Sequence, residues 1–119
     1  MKKFKIDSFT KGWFIGDFKP ALLWTKDFEA AMKFYKKGDK EGKHVHKIAR
    51  EYTLIGAGRF RMNDLILETG DITELQPGEP ADFECLESGV TFVVKSPSAP
   101  HDKEMGSDER KWRWFEIGG

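Results

Sequence analysis

Apolar and polar positions alternate along most of this chain, in short runs cut by glycine, proline and charged turns. A period of two is a strand signature, because successive strand side chains point to opposite faces. Val90-Thr91-Phe92-Val93-Val94-Lys95 is the clearest instance, β-branched and bounded by Gly89 and Pro97. Gly12-Trp13-Phe14-Ile15-Gly16-Asp17-Phe18 is too interrupted for a helix, and Ala21-Leu22-Leu23-Trp24 follows it. In residues 28–35 the run Glu-Ala-Ala-Met-Lys has good helix propensity. Phe28, Ala30, Met32 and Phe34 nevertheless fit one strand face, and Lys37-Gly38-Asp39-Lys40 ends the run, so a strand is predicted. Residues 52–55 and 59–62 read as strand segments joined by a bend at Gly56-Ala57-Gly58. Asn63-Asp64 is a hairpin turn, since both residues tolerate positive φ. Strands over 65–67, 72–75 and 82–86 follow, separated by Thr69-Gly70-Asp71 and Pro77-Gly78-Glu79-Pro80. The tail from Ser96 is irregular until Trp112-Arg113-Trp114-Phe115. Many short strands at regular spacing predict an all-β sandwich or barrel.

Composition narrows the partners. The 119 residues suit one domain spanning residues 1–119, and 20 basic residues balance 20 acidic ones. No net field therefore favours nucleic acid or an anionic membrane. A single cysteine, Cys85, excludes an internal disulfide or a cysteine-based metal cluster and fits a reducing compartment. Lys5 and Asp7 interrupt the start before any apolar run, which argues against a signal peptide, and no stretch approaches a membrane span. A soluble, cytoplasmic protein is expected.

The chemistry concentrates at His44-Val45-His46 and Glu51. Histidines separated by one residue share a strand face, and a carboxylate five residues on can return on the adjacent strand to meet them. Two imidazoles and one carboxylate on one wall make a divalent transition-metal site with open coordination positions. Fe, Mn, Ni and Zn all suit this donor set, whereas calcium does not, because nitrogen is a poor donor for a hard cation.

These residues stand in a longer pattern that resembles the cupin superfamily. Its first motif is a glycine, five residues, His-x-His, three or four residues, a glutamate, six residues and a glycine; Gly38, His44, His46, Glu51 and Gly58 match every position. The second motif is matched in part. Gly70 and Pro77 fit with one extra residue between them, Glu79 replaces a glycine, and the histidine position falls on Asp82. The resemblance extends through residues 12–18 and 94–103, covering about 4–103 and leaving 104–119 as a C-terminal extension. It implies a cupin-type antiparallel β-barrel, a double-stranded β-helix or jelly roll, with a metal in its mouth held in most cupins by three histidines and a glutamate.

The missing histidine leaves the fourth ligand open. Asp82 is the candidate fourth metal ligand, or a general base if unligated; Glu84, two residues on and on the same face, competes for both roles. Asp82 can equally satisfy turn amides after Pro77-Gly78 and Pro80. Without either, His44, His46 and Glu51 form a facial triad of the non-haem Fe(II) kind. Cys85 alternates out of phase with Asp82 and Glu84 and is expected in the core. His101 reads as a loop residue, and Trp13, Trp24, Phe34 and Tyr35 as barrel lining or core. The predicted function is a small metalloenzyme acting on a sugar, sugar derivative or organic acid, by isomerase, oxygenase or lyase chemistry; the alternative is a non-catalytic ligand-binding or interaction module. Partners are a small polar molecule and a second copy in a homodimer, with Trp112, Trp114 and Phe115 as candidate contacts.

Overall fold

The computed structural model describes residues 1–100 and 103–105. Two single-turn 3-10 segments, Ile6–Ser8 and Thr10–Gly12, precede nine strands: β1 (Trp13–Gly16), β2 (Leu23–Trp24), β3 (Glu29–Tyr35), β4 (Lys40–His46), β5 (Arg50–Met62), β6 (Leu65–Glu68), β7 (Ile72–Leu75), β8 (Ala81–Ser96) and β9 (Lys103–Met105). They form one sheet in the order β2-β1-β3-β8-β4-β9, with β5 laid against β6, β7 and β8. The class is all-β, as predicted, but the sheet does not close into a complete barrel. Every pairing is antiparallel except β1 with β2. Among the described residues no helix is long and apolar enough to cross a membrane.

Two of the sequence-predicted strands, 82–86 and 90–95, are halves of the single 16-residue strand β8. Gly89 bends it where it crosses β5: a Cβ at Gly89 would stand 2.0 Å from the carbonyl oxygen of Ala57. Gly58 faces it at φ +88°, and the β5–β8 register shifts between Ile55 and Phe60, so the predicted bend at residues 56–58 is a bulged crossing. The hairpin also forms as expected. Met62 pairs with Leu65 across a two-residue turn whose first residue, Asn63, takes φ 51°. Residues 103–105, read as irregular, pair instead with β4, from His44↔Met105 to His46↔Lys103.

The apolar core gathers Ile55, Phe60, Met62, Leu67, Phe83 and Cys85. Phe60 and Phe83 stack at 5.0 Å, and Tyr35 meets both edge-on, at 5.6 and 5.3 Å. Burying a side chain of this size contributes about 1.5–3 kcal/mol. Cys85 packs here as predicted, its thiol donating to the Glu87 carbonyl at 3.2 Å.

Strand β3 turns its other face inward. Glu29, Ala31 and Tyr35 point to the interior, whereas Phe34 of the apolar row is 65% exposed. Period two identified the strand but not its orientation, because this half of the interior is polar. Cross-strand register explains why: Glu29 lies opposite Lys95, which lies opposite Glu51, and Lys33 lies opposite Thr91.

Candidate metal centre

β4 supplies the histidines through a local irregularity. Between Glu41↔Phe83 and His44↔Ala81 the strand advances three residues while β8 advances two, so one residue is extra. The bulge resets the alternation at Gly42-Lys43 and lets Glu41, His44 and His46 all address the interior, which a regular strand would forbid. It also fixes a tautomer. His44 Nδ1 lies 3.0 Å from the Gly42 carbonyl oxygen, which only accepts, so Nδ1 carries a proton there and Nε2 is the nitrogen that a metal would take.

His44 and His46 are 4% and 2% exposed, with ring centroids 5.6 Å apart at 79°. Glu51 is the second residue of β5, after residues 47–49 and Arg50, and is itself buried. Its Oε1 stands 3.2 Å from His46 Nε2. The carboxylate thus arrives on the next strand in sequence, although among the described residues β4 and β5 are not hydrogen-bonded to each other. Donor atoms of His44, His46 and Glu51 all lie within 4.8 Å of one another. His46 Nδ1 is buried with no hydrogen-bond partner among the described residues. Two buried imidazoles and one buried carboxylate at this spacing can hold a divalent ion, and the donor set fits the metals expected from the sequence.

The structure does not bring Asp82 or Glu84 to this group. β8 alternates, and Ala81, Phe83 and Cys85 take the inward positions, so Asp82 and Glu84 face out. There Arg61 spans both carboxylates, Nη1 to Asp82 at 3.0 Å and Nη2 to Glu84 at 3.4 Å. Asp82 also accepts from the Asn63 amide at 3.0 Å, and its own amide donates to the Asn63 side chain. Asp82 thus serves a turn amide, but that of the Asn63-Asp64 hairpin rather than of the Pro77–Pro80 turn weighed from the sequence. Its hydrogen bond raises the Arg61 pKa further. His101, Trp112, Trp114 and Phe115 lie outside the described residues.

Other polar groups share the interior. Lys33, Tyr35 and Glu41 line the cavity that holds His44 and Glu51, with Trp13, Thr53 and Thr91. Tyr35 donates its hydroxyl to Glu41 Oε2 at 2.8 Å, and burial, reinforced by Glu41, raises its pKa well above 10. Burial lowers the pKa of Lys33, with Glu41 opposing. Two ammonium groups stand over the Trp13 ring, Lys95 Nζ at 4.7 Å and Lys33 Nζ at 5.1 Å from its centroid. Lys95 and Glu29 are 1% and 0% exposed and 3.1 Å apart, attracted by charge without an aligned hydrogen bond to either Glu29 oxygen. Of the aromatics proposed as lining, Trp13 and Tyr35 take that place while Trp24 and Phe34 are exposed. A visible sign of the missed polar wall was Gly42 inside a strand, which marks a bulge.

No protein-family model and no curated protein matches this chain. Solved structures do. The DMSP lyase DddQ of Ruegeria pomeroyi aligns with a TM-score of 0.67 at 18% identity, over 79% of this chain and 49% of that one. A double-stranded β-helix protein of Klebsiella pneumoniae aligns at 0.64 and 17% identity, over 90% and 93% of the two chains. Oxalate decarboxylase of Bacillus subtilis aligns at 0.61 and 18%, over 70% of this chain and 25% of its own, and its centres hold Mn(II). This chain has the cupin fold. At such identities the likeness is one of architecture, and the cupin interior is where the histidine pair and Glu51 converge.

Proposed function

We propose that this cupin is a metal-dependent enzyme acting on a small polar molecule, with His44, His46 and Glu51 holding one divalent transition metal. The observation that carries the reading is the buried convergence of the three donors, with the His44 tautomer set by the Gly42 carbonyl. Two of the structural neighbours are enzymes, a lyase and a Mn(II)-containing decarboxylase, which supports enzymatic use of the same architecture. An ion held by His44, His46 and Glu51 would supply Lewis-acid chemistry toward a substrate oxygen. The chain's own residues supply the rest: Thr53, Thr91 and Tyr35 offer hydroxyls, Glu41 a carboxylate and Lys33 a charge along the same cavity. With Asp82 and Glu84 engaged by Arg61, Glu41 takes over as the carboxylate nearest this wall for proton transfer.

The test is metal analysis of tag-free protein, followed by turnover of metal-reconstituted samples over sugars, sugar derivatives and organic acids. Stoichiometric metal with turnover of one class supports the reading; stoichiometric metal with none across the panel favours a binding module; absence of metal after reconstitution refutes the centre. We further propose that it is a cytoplasmic protein and a homodimer; light scattering at high micromolar concentration tests the dimer.

A further inference from the structure

Two spaces meet at Lys33, Tyr35 and Glu41. The inner one, beside His44 and Glu51, has a cavity volume of about 30 Å³, room for little more than an ion or a water molecule. The outer one is an open groove of about 990 Å³ between the N-terminal 3-10 segments and the start of β4. Gly12 sets its wall, crossing β3 so closely that a Cβ there would lie 2.0 Å from the Met32 carbonyl oxygen. Lys33, Tyr35 and Glu41 line both spaces. A ligand larger than water must therefore rest in the groove and reach the inner donors past these three side chains.

Their charges are not equally satisfied. Glu41 accepts the Tyr35 hydroxyl, and Lys95, the neighbouring buried cation, has Glu29. Lys33 has no ion pair or hydrogen bond among the described residues and rests its ammonium against the Trp13 ring. Lys33 is half-buried, Glu41 and Glu51 act on it only across space with no ion pair formed, and a ring face offsets only part of the cost of taking a cation out of water. Desolvation accordingly dominates the environment of Lys33. The groove leading to it carries Lys5, Lys11 and Lys40 besides Lys33, against three carboxylates, so its approach is weakly positive.

We infer that the natural ligand is a small organic carboxylate, lying in the groove with its carboxylate on the Lys33 ammonium at the junction of the two spaces. Lys33 is then a specificity-determining residue, selecting acids over neutral sugars. The inference deepens the metal-centre reading and rests on it for the ligand's second contact, but the Lys33 contact stands without the ion.

The probes are propionate and its neutral isostere propionamide, titrated by NMR into the full chain, chelator-treated and zinc-loaded in parallel. Propionate should bind at least about tenfold more tightly than propionamide in both samples, and the Lys33 Cε resonance should move with propionate alone. Lys33→Met should bring the two probes near parity, and Lys33→Arg should retain most of the preference. Equal affinities in the unmutated chain, or an undiminished preference in folded Lys33→Met, would overturn the inference. Should Lys33→Met fail to fold, the unmutated chain decides: bound propionate that leaves the Lys33 resonance unmoved also overturns it. A Lys33-dependent preference in chelator-treated protein that binds no zinc supports this inference while refuting the metal centre.

Discussion

Strands β5 and β8 carry carboxylates in two settings. On the outer face Asp82 and Glu84 share the Arg61 guanidinium, with Arg61 32% and Asp82 41% exposed at the side chain. On the inner face Glu51 meets His46 in a largely buried wall, with His44 beside them. Outside, Asp82 and Glu84 both have the Arg61 cation, and solvent reaches all three, so the cluster is complete. Inside, two imidazoles and a carboxylate converge within 4.8 Å of one another and away from solvent, where a polar group is costly to bury and its partners matter most. Acidic residues close in sequence to a motif position are thus poor guides to a site unless the strand phase turns them inward.

The largest expected effect strikes the inner set. His44→Ala/His46→Ala should abolish stoichiometric metal, read by elemental analysis, while the far-ultraviolet spectrum keeps its strand signature. Full metal occupancy in that variant would dissolve the contrast between the two clusters.

Phe60→Ala attacks the apolar half of the interior instead, removing a 0% exposed ring stacked on Phe83. It should cost about 3–5 kcal/mol in denaturant unfolding, and metal content per folded molecule should not change. A similar loss, about 3–5 kcal/mol, is expected for Glu29→Gln, which leaves the buried Lys95 uncompensated. An unfolding midpoint unmoved by Glu29→Gln would mean that the pair is not a structural ion pair.

Asp82→Asn should have the smallest effect. Metal affinity should stay as in the unmutated chain, and metal-free stability should fall by about 1 kcal/mol or less, one partly exposed hydrogen-bonded contact. A drop in metal affinity without loss of apo stability would return Asp82 to the inner set.

Much of this was readable beforehand, for identifiable reasons. Turn chemistry is local, so Asn63-Asp64 and the bend at residues 56–58 could be placed from side-chain and glycine conformational limits alone. The alternation of His44 and His46 is also local. What failed depends on partners distant in sequence. Placing Phe34 inside assumed an apolar interior, but the interior opposite β3 is built by Lys95, Thr91 and Glu51 from other strands. Asp82 was assigned by motif position, and the phase of β8 relative to Phe83 and Cys85 decided otherwise. The bulge that adds Glu41 to the histidine face becomes visible only once β4 is registered on β8.

The continuity of β8 has a consequence for motion. Its first half pairs with β4 beside the apolar core, and its second half pairs with β3, while β5 runs along nearly its whole length. Amide protons from Phe83 to Lys95 therefore belong to one hydrogen-bonded unit, and opening at either end strips partners from the other. No small local unfolding can loosen the wall around Glu51 and spare the aromatic stack. In hydrogen exchange the two halves should report the same slow, near-global event, so that the chemistry of the inner wall is as rigid as the core that carries it.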